Sequence, residues 1–368
     1  MLYRLKGCGG MKKNGVSALK VAAAYIGTVV GAGFATGQEV LQFFNRFGAS
    51  GLAGIAATTL MFIVFGYIIM DLGQKLHARS YTEIIKYSSG RKSGKIIDLI
   101  ITVFLFGSFT AMIAGTGALF TQQFRLPALM GNILMAVLTS VTVLTGINGV
   151  INSISFVVPF LLTAVIGTGL FSISVYPPDF TSSTVLLAES GIINNWFLSS
   201  ILYVSYNIIT SIAVLGPLGS EAKDRGSVKI GAVLGGLGLG VGSVMIYLAL
   251  SGSISEIADL EVPMIYVAGR ISHPVQLAYA VVLTAEIYTT AVGSLYGFIS
   301  RITDIKNFSP DSIIIVAAFT IAALLASQFG FSNLVRYLYP MVGYGGIVLL
   351  ICLVRTKFSG KTSRVHKS

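Results

Sequence analysis

Apolar runs of about twenty residues, parted by short polar turns, follow one another along nearly the whole chain. A helix needs about that length to cross a bilayer. Ten segments meet the requirement, at roughly 17–45, 51–73, 96–122, 127–145, 152–174, 195–219, 229–252, 274–300, 311–329 and 332–354. The fourth and fifth are parted only by GINGVINS, a short polar-glycine turn. Residues 78–90, ARSYTEIIKYSSG, read as a short helix between the second and third spans, and 253–270 as a helical hairpin before the eighth. The expected architecture is all-α, a single membrane domain over 1–368.

The first run departs from the pattern. It is bracketed by Lys20 and Arg46, and Gly31-Ala32-Gly33 lies midway between them. Each glycine weakens a helix by about 1 kcal/mol relative to alanine, so two at the bilayer centre predict unwinding. Unwound backbone is tolerated in a membrane only where it is buried in protein or lines a cavity. Broken helices at the midplane mark the binding sites of secondary transporters. Close helix packing is the competing reading, since Gly27/Gly31 and Gly33/Gly37 have GxxxG spacing. Near the middle of the sixth run, Ser205-Tyr206-Asn207 suggests a second interruption. The first and sixth are corresponding members of two five-helix halves, about 17–174 and 195–354. A repeat of five spans makes the halves inverted. The seventh run holds six glycines and no polar partner, which reads as packing. Tyr337, Tyr339 and Tyr344 read as packing or interface aromatics.

Charge sets the orientation. With both termini cytoplasmic, all but four of the 25 Lys and Arg residues fall on the inner side. The four outside are Arg46, Arg125, Arg270 and Arg336. Such an asymmetry is the positive-inside rule, and one span more or fewer would scramble it. It also explains the net charge of +11 without nucleic acid as a partner. The bilayer is the partner instead. Composition agrees, with 54% hydrophobic and 11% charged residues and a mean hydropathy of +0.83; a soluble domain carries roughly 25% charged residues. Cys8 and Cys352 make no disulfide framework, and His77, His273 and His366 have no ligand spacing. The first run is too long for the apolar core of a cleavable leader. No nucleophile–base pair, metal cluster or phosphate loop appears, so the chain is not expected to be an enzyme or to bind an organic cofactor.

Carboxylates inside a membrane are costly and mark function. Asp71 and Asp98 fall near helix ends, whereas Glu286 lies midway between His273 and Arg301, at the bilayer centre. Glu286, Thr289 and Thr290 occupy positions i, i+3 and i+4, hence one helical face. This oxygen-rich patch suits a hard cation such as sodium, and the carboxylate alone suits a proton. A protonated acid hydrogen-bonded between helices is the structural alternative. Glu39 lies about 12 Å outward of Gly31 at 1.5 Å per residue.

The sequence resembles the LeuT-fold transporters of the amino acid–polyamine–organocation superfamily, and within them the YkvI-like bacterial membrane proteins, through GTVVGAGFATGQE. Gly27, Val30, Gly31 and Gly33 match the G-x-x-V-G-x-G element of sodium-coupled members. The resemblance implies a LeuT-like 5+5 inverted repeat with discontinuous first and sixth helices. It implies that the Gly27 and Val30 carbonyls, with Thr289 and Thr290, hold one sodium ion. It places Glu286 one turn before them and sets the amides of Ala32 and Gly33 against a substrate carboxylate. Ser205, Tyr206 and Asn207 would complete the pocket around Gly31, Ala32 and Gly33. Phe34 stands where a second sodium ligand is found in those members, which argues against a second ion site. Glu286 departs from the family pattern and leaves proton coupling open. Related transporters also pair an acid and a base between the first and tenth spans. Arg336, about 10 Å outward of the midplane, would pair with Glu39 as an outer gate. Alternatively Arg336 snorkels to the interface and Glu39 faces a water-filled vestibule.

The expected function is secondary active transport of a small amino-acid-like or organic solute across the bacterial plasma membrane, coupled to sodium or a proton and working by alternating access. A non-transporting sensor or partner subunit on the same fold is the alternative. Substrate identity, coupling ion, direction and oligomeric state are not legible in these residues.

Overall fold

In hydrocarbon every backbone N–H and C=O must be satisfied within the protein, which restricts isolated apolar runs to helices. The computed structural model describes residues 15–78, 80–145, 158–180, 193–302 and 309–358. Among them α1 (Ala18–Val29), α2 (Ala32–Ala35) and α3 (Gln38–Phe43) make up the first apolar run. They are followed by α4 (Ser50–Leu76), α5 (Tyr81–Phe124), α6 (Ala128–Leu144) and α7 (Val158–Val175). The second half has α8 (Trp196–Glu221), α9 (Arg225–Ser251), the short α10 (Ile254–Ile257) and α11 (Pro263–Ile271), and α12 (His273–Ile299). It closes with α13 (Pro310–Ala326), α14 (Phe331–Asn333), a π-helical turn over Leu334–Leu338, and α15 (Tyr339–Phe358).

Seven of these rods are long and apolar enough to cross a membrane, and the helices of the first, fourth and fifth runs are shorter. GINGVINS, Cys8, His366 and both chain ends lie outside the described residues. The short helix expected at 78–90 forms the start of α5, set off from the rest by Gly90 at φ 69°. The hairpin expected over 253–270 is α10 and α11.

The sixth run corrects an expectation. It is one unbroken helix, α8, through Ser205, Tyr206 and Asn207. Their polar groups are absorbed without opening the backbone. The Asn207 amide donates to the Tyr203 carbonyl one turn back at 2.9 Å, and the Thr210 hydroxyl to the Asn207 carbonyl at 2.8 Å. Ser205 donates to the Gly343 carbonyl of α15 at 2.7 Å. No glycine lies between Trp196 and Leu215 to lower the cost of a break.

Packing sorts the helices into two groups. In one, α1 and α4 pack with α8 and α9; in the other, α5 and α6 pack with α12 and α13. Small residues allow the close approaches within the first group. A Cβ on Gly73 of α4 would collide with the Gly216 carbonyl of α8, and one on Gly219 with Met70 backbone. The glycines of α9 divide between two neighbours. Gly231, Gly235 and Gly238 face Val21, Tyr25 and Ile26 of α1, while Gly236 and Gly240 face Ile63 and Thr59 of α4. The packing reading of the seventh run holds.

Candidate functional site

The last four carbonyls of a helix have no donor within it. Here α1 ends at Val29, with the Val30 amide still bonded to Ile26, and the chain then turns extended, Val30 at φ −70°, ψ 114° and Gly31 at φ −127°, ψ −174°. The carbonyls from Gly27 to Val30 are therefore outside the helical ladder. After the one-turn α2 the chain bends again at Gly37, φ 81°, a left-handed conformation that favours glycine. The first run is thus broken twice, at Val30–Gly31 and at Thr36–Gly37. Gly33, expected to unwind, sits inside α2.

The second bend redirects α3. Glu39 does not project away from the break; its carboxylate lies where a Cβ on Gly33 would go. The Tyr206 hydroxyl donates to Glu39 Oε2 at 2.5 Å. Glu39 is 5% exposed.

Facing the break is α12. The nearest atoms to a Cβ on Gly31 belong to the Thr290 side chain, with Oγ1 at 3.6 Å. Thr289 donates its hydroxyl to the Glu286 carbonyl at 3.0 Å, which leaves its oxygen lone pairs free to accept. Glu286 is 3% exposed, and its Oε2 is buried with no hydrogen-bond partner.

These residues line one cavity of about 940 Å³ between the two helix groups. Gly27, Val30, Gly31, Ala32, Gly33, Glu39, Tyr206, Asn207, Glu286, Thr289 and Thr290 all border it. Ser205 does not, because it is turned toward α15. Residues that the sequence reading did not assign to a site border it too: Phe104, the hydrogen-bonded pair Ser108 and Ser294 (3.0 Å apart), and Tyr339. Tyr339 packs its ring against Phe104 and Tyr206, as expected, and borders the cavity as well; Tyr337 and Tyr344 are partly exposed as interface aromatics would be. Phe34 is buried against Gly242.

The cavity reaches the end of the molecule where the cations gather. Its rim there includes Tyr81, Ser300 and Arg301. Arg301 pairs with Asp98 at 2.6 Å and donates to Thr102 and to the Tyr81 hydroxyl, which itself donates to Asp98 at 3.0 Å. Burial pushes the Tyr81 phenol up to about 12, so it keeps its proton in this network at ordinary pH. At the same end Asp71, 1% exposed, is held by Lys75 and Lys357 at 2.8 Å each and by Arg225 at 3.4 Å. Asp71 lies near the end of α4, as expected, and is a buried acid held in an ion-paired cluster.

The opposite end is covered. Met264 of α11 donates to the Thr36 carbonyl at 3.0 Å, Tyr279 to the Ala35 carbonyl at 2.6 Å, and Gln38 to Leu260 at 3.2 Å and to Ser332. The expected Glu39–Arg336 gate is not formed here. Glu39 is engaged by Tyr206, and Arg336 joins no ion pair among the described residues, its Nε buried without a partner. The depth argument assumed a straight helix outward from Gly31; the bend at Gly37 turns Glu39 back toward the break.

No protein-family model matches the sequence. The chain is 32% identical to the Bacillus subtilis (strain 168) membrane protein YkvI, itself uncharacterized, over 94% of this chain and 98% of that one. The chain belongs to the YkvI family. Its fold is that of the LeuT-like transporters. MhsT, solved in complex with L-phenylalanine, superposes with a TM-score of 0.64 at 16% identity, covering 96% of this chain and 92% of MhsT. A Na+-coupled sialic acid symporter, solved substrate-bound and outward-open, gives a TM-score of 0.58 at 13% identity, over 94% and 80% of the two chains. At such identities the likeness speaks to the fold alone.

Proposed function

We propose that this YkvI-family protein is a cation-coupled secondary transporter of a small solute, working by alternating access. The observation that supports this most is the twice-broken first run, whose free carbonyls and glycines face Glu286, Thr289 and Thr290 across a cavity of about 940 Å³. A broken helix in lipid is tolerated where it lines such a cavity, and known binding pockets span about 300–1,000 Å³.

The residues present fit a sodium ion or a proton. Carbonyls of Gly27 and Val30 outside the helical ladder, the Thr289 and Thr290 hydroxyls, and the unpartnered Oε2 of Glu286 are all hard oxygen donors. Glu286 would share the coupling charge with the hydroxyls when the ion is bound. The partition of helices supports the ten-span, 5+5 reading, because the first and second runs pack with the sixth and seventh, and the third and fourth with the eighth and ninth. With the basic end cytoplasmic, as the positive-inside rule requires, the cavity faces inward and the plasma membrane's outer side is closed by α10 and α11. The test is uptake by protein reconstituted in liposomes, with sodium or proton gradients imposed separately. Gradient-driven accumulation of a solute supports the proposal; no uptake of any tested solute with binding retained supports the sensor alternative.

A further inference from the structure

Within the cavity the titratable groups are one-sided. Glu39 and Glu286 face it, whereas the guanidinium on its rim, Arg301, is committed to Asp98. Glu39 also occupies the space over Gly33. A solute carboxylate brought to this stretch would meet an acid already in place, whereas a solute cation would favour that acid's ionised form.

The walls beside Glu39 are aromatic. The Tyr206 hydroxyl holds the carboxylate, and its ring centroid lies 5.1 Å from that of Tyr339 and 5.9 Å from that of Phe104. Phe104 and Tyr339 are 5.4 Å apart and close the triangle. All three rings border the cavity. A carboxylate beside several aromatic rings is the chemistry that holds an alkylated or primary ammonium group, through charge pairing and attraction to the ring faces.

We propose that Glu39, with Phe104, Tyr206 and Tyr339, forms the recognition site for an organic ammonium cation. This rests on the transporter reading for the cavity and narrows it to a solute class. The division of labour is spatial: Glu39 on the first run meets the solute's nitrogen, and Glu286 on α12 serves the coupling ion. Tyr206 is a positioning residue as well as a wall, since its hydroxyl fixes the carboxylate.

The experiment uses the purified full chain in detergent, with choline, ethanolamine and putrescine as probes and 3,3-dimethylbutanol as the uncharged isostere of choline. Binding is read by thermal unfolding and by calorimetry. At least one amine is expected to bind and stabilise the protein, and the isostere at least about tenfold more weakly. Glu39→Gln can still accept from Tyr206, so it should melt like the unliganded protein yet lose amine affinity about tenfold or more; Glu39→Asp should restore part of it. If Glu39→Gln fails to fold, Phe104→Leu serves instead, with a several-fold loss expected for choline. No binding by any of the three amines, or affinity unchanged in these variants, overturns the assignment. Amine binding without uptake in liposomes would remove the transporter reading and leave this site standing. Uptake of a neutral or anionic solute, indifferent to Glu39→Gln, would do the reverse.

Discussion

The carboxylate of Glu39 packs over the Cα of Gly33, in the place a side chain would occupy. This contact depends on the bend at Gly37, the one turn of the first run that lies between Gly33 and Glu39. Gly33→Ala is expected to force the two groups apart. Overpacking of this kind costs roughly 1–3 kcal/mol, so the variant should unfold at lower temperature and lose most solute binding. Gly33→Ala combined with Glu39→Ala should recover the melting temperature and not the binding. A single variant that melts and binds like the wild type would show that the contact is absent in the working protein.

The hydroxyls of Thr289 and Thr290 are expected to serve the coupling ion. Replacing both with valine keeps their shape, and the one hydrogen bond lost on the protein side, Thr289 to the Glu286 carbonyl, is local to the helix. Uptake should lose its dependence on the imposed ion gradient while the protein remains folded in the membrane. Undiminished ion-driven uptake would remove these residues from the coupling site.

Glu286 carries an unpartnered buried oxygen into the cavity, which a purely structural acid would not. Glu286→Gln is expected to uncouple the protein. Accumulation against a gradient should disappear, whereas exchange of labelled for unlabelled solute across the membrane should persist. Retained accumulation with its normal pH dependence would make Glu286 a packing residue.

At the basic end, the buried carboxylate of Asp71 pairs with the partly exposed Lys75 and Lys357. Removing one partner of a buried ion pair leaves uncompensated charge and costs about 3–5 kcal/mol. Asp71→Asn should lower the melting temperature markedly, and adding Lys357→Met should recover part of the loss. Equal melting of the single and double variants would mean that the cluster contributes little.

Seven long apolar spans and the break in the first run were legible because both are local. Length and apolarity set the helices, and paired glycines in mid-run announce the weak point. The displacement of the break to Val30–Gly31 was not legible. Nor was the bend at Gly37, where the left-handed backbone brings the chain against Met264 and Leu250. Those neighbours come from distant parts of the sequence. The polar triplet in the sixth run misled for the opposite reason: Asn207 and Thr210 satisfy themselves on their own helix, and Ser205 finds a carbonyl on α15. Phe104 and Tyr339 look like any other aromatic on an apolar helix until the cavity beside them is seen.

The unbroken α8 has a mechanical consequence. From Trp196 to Leu215 it is a rod without proline or glycine, locked to α4 just beyond, where Gly73 meets Gly216, so the one place it can kink is Pro217 near its end and not the stretch beside the cavity. Any rocking of α1, α4, α8 and α9 against the rest must then be taken up elsewhere. The two flexible joints on the first run, at Gly31 and Gly37, are where that strain would collect. A body that rocked in this way would be a stiff lever with its elbows on one side, and the segment that bent would be the same one that lines the cavity.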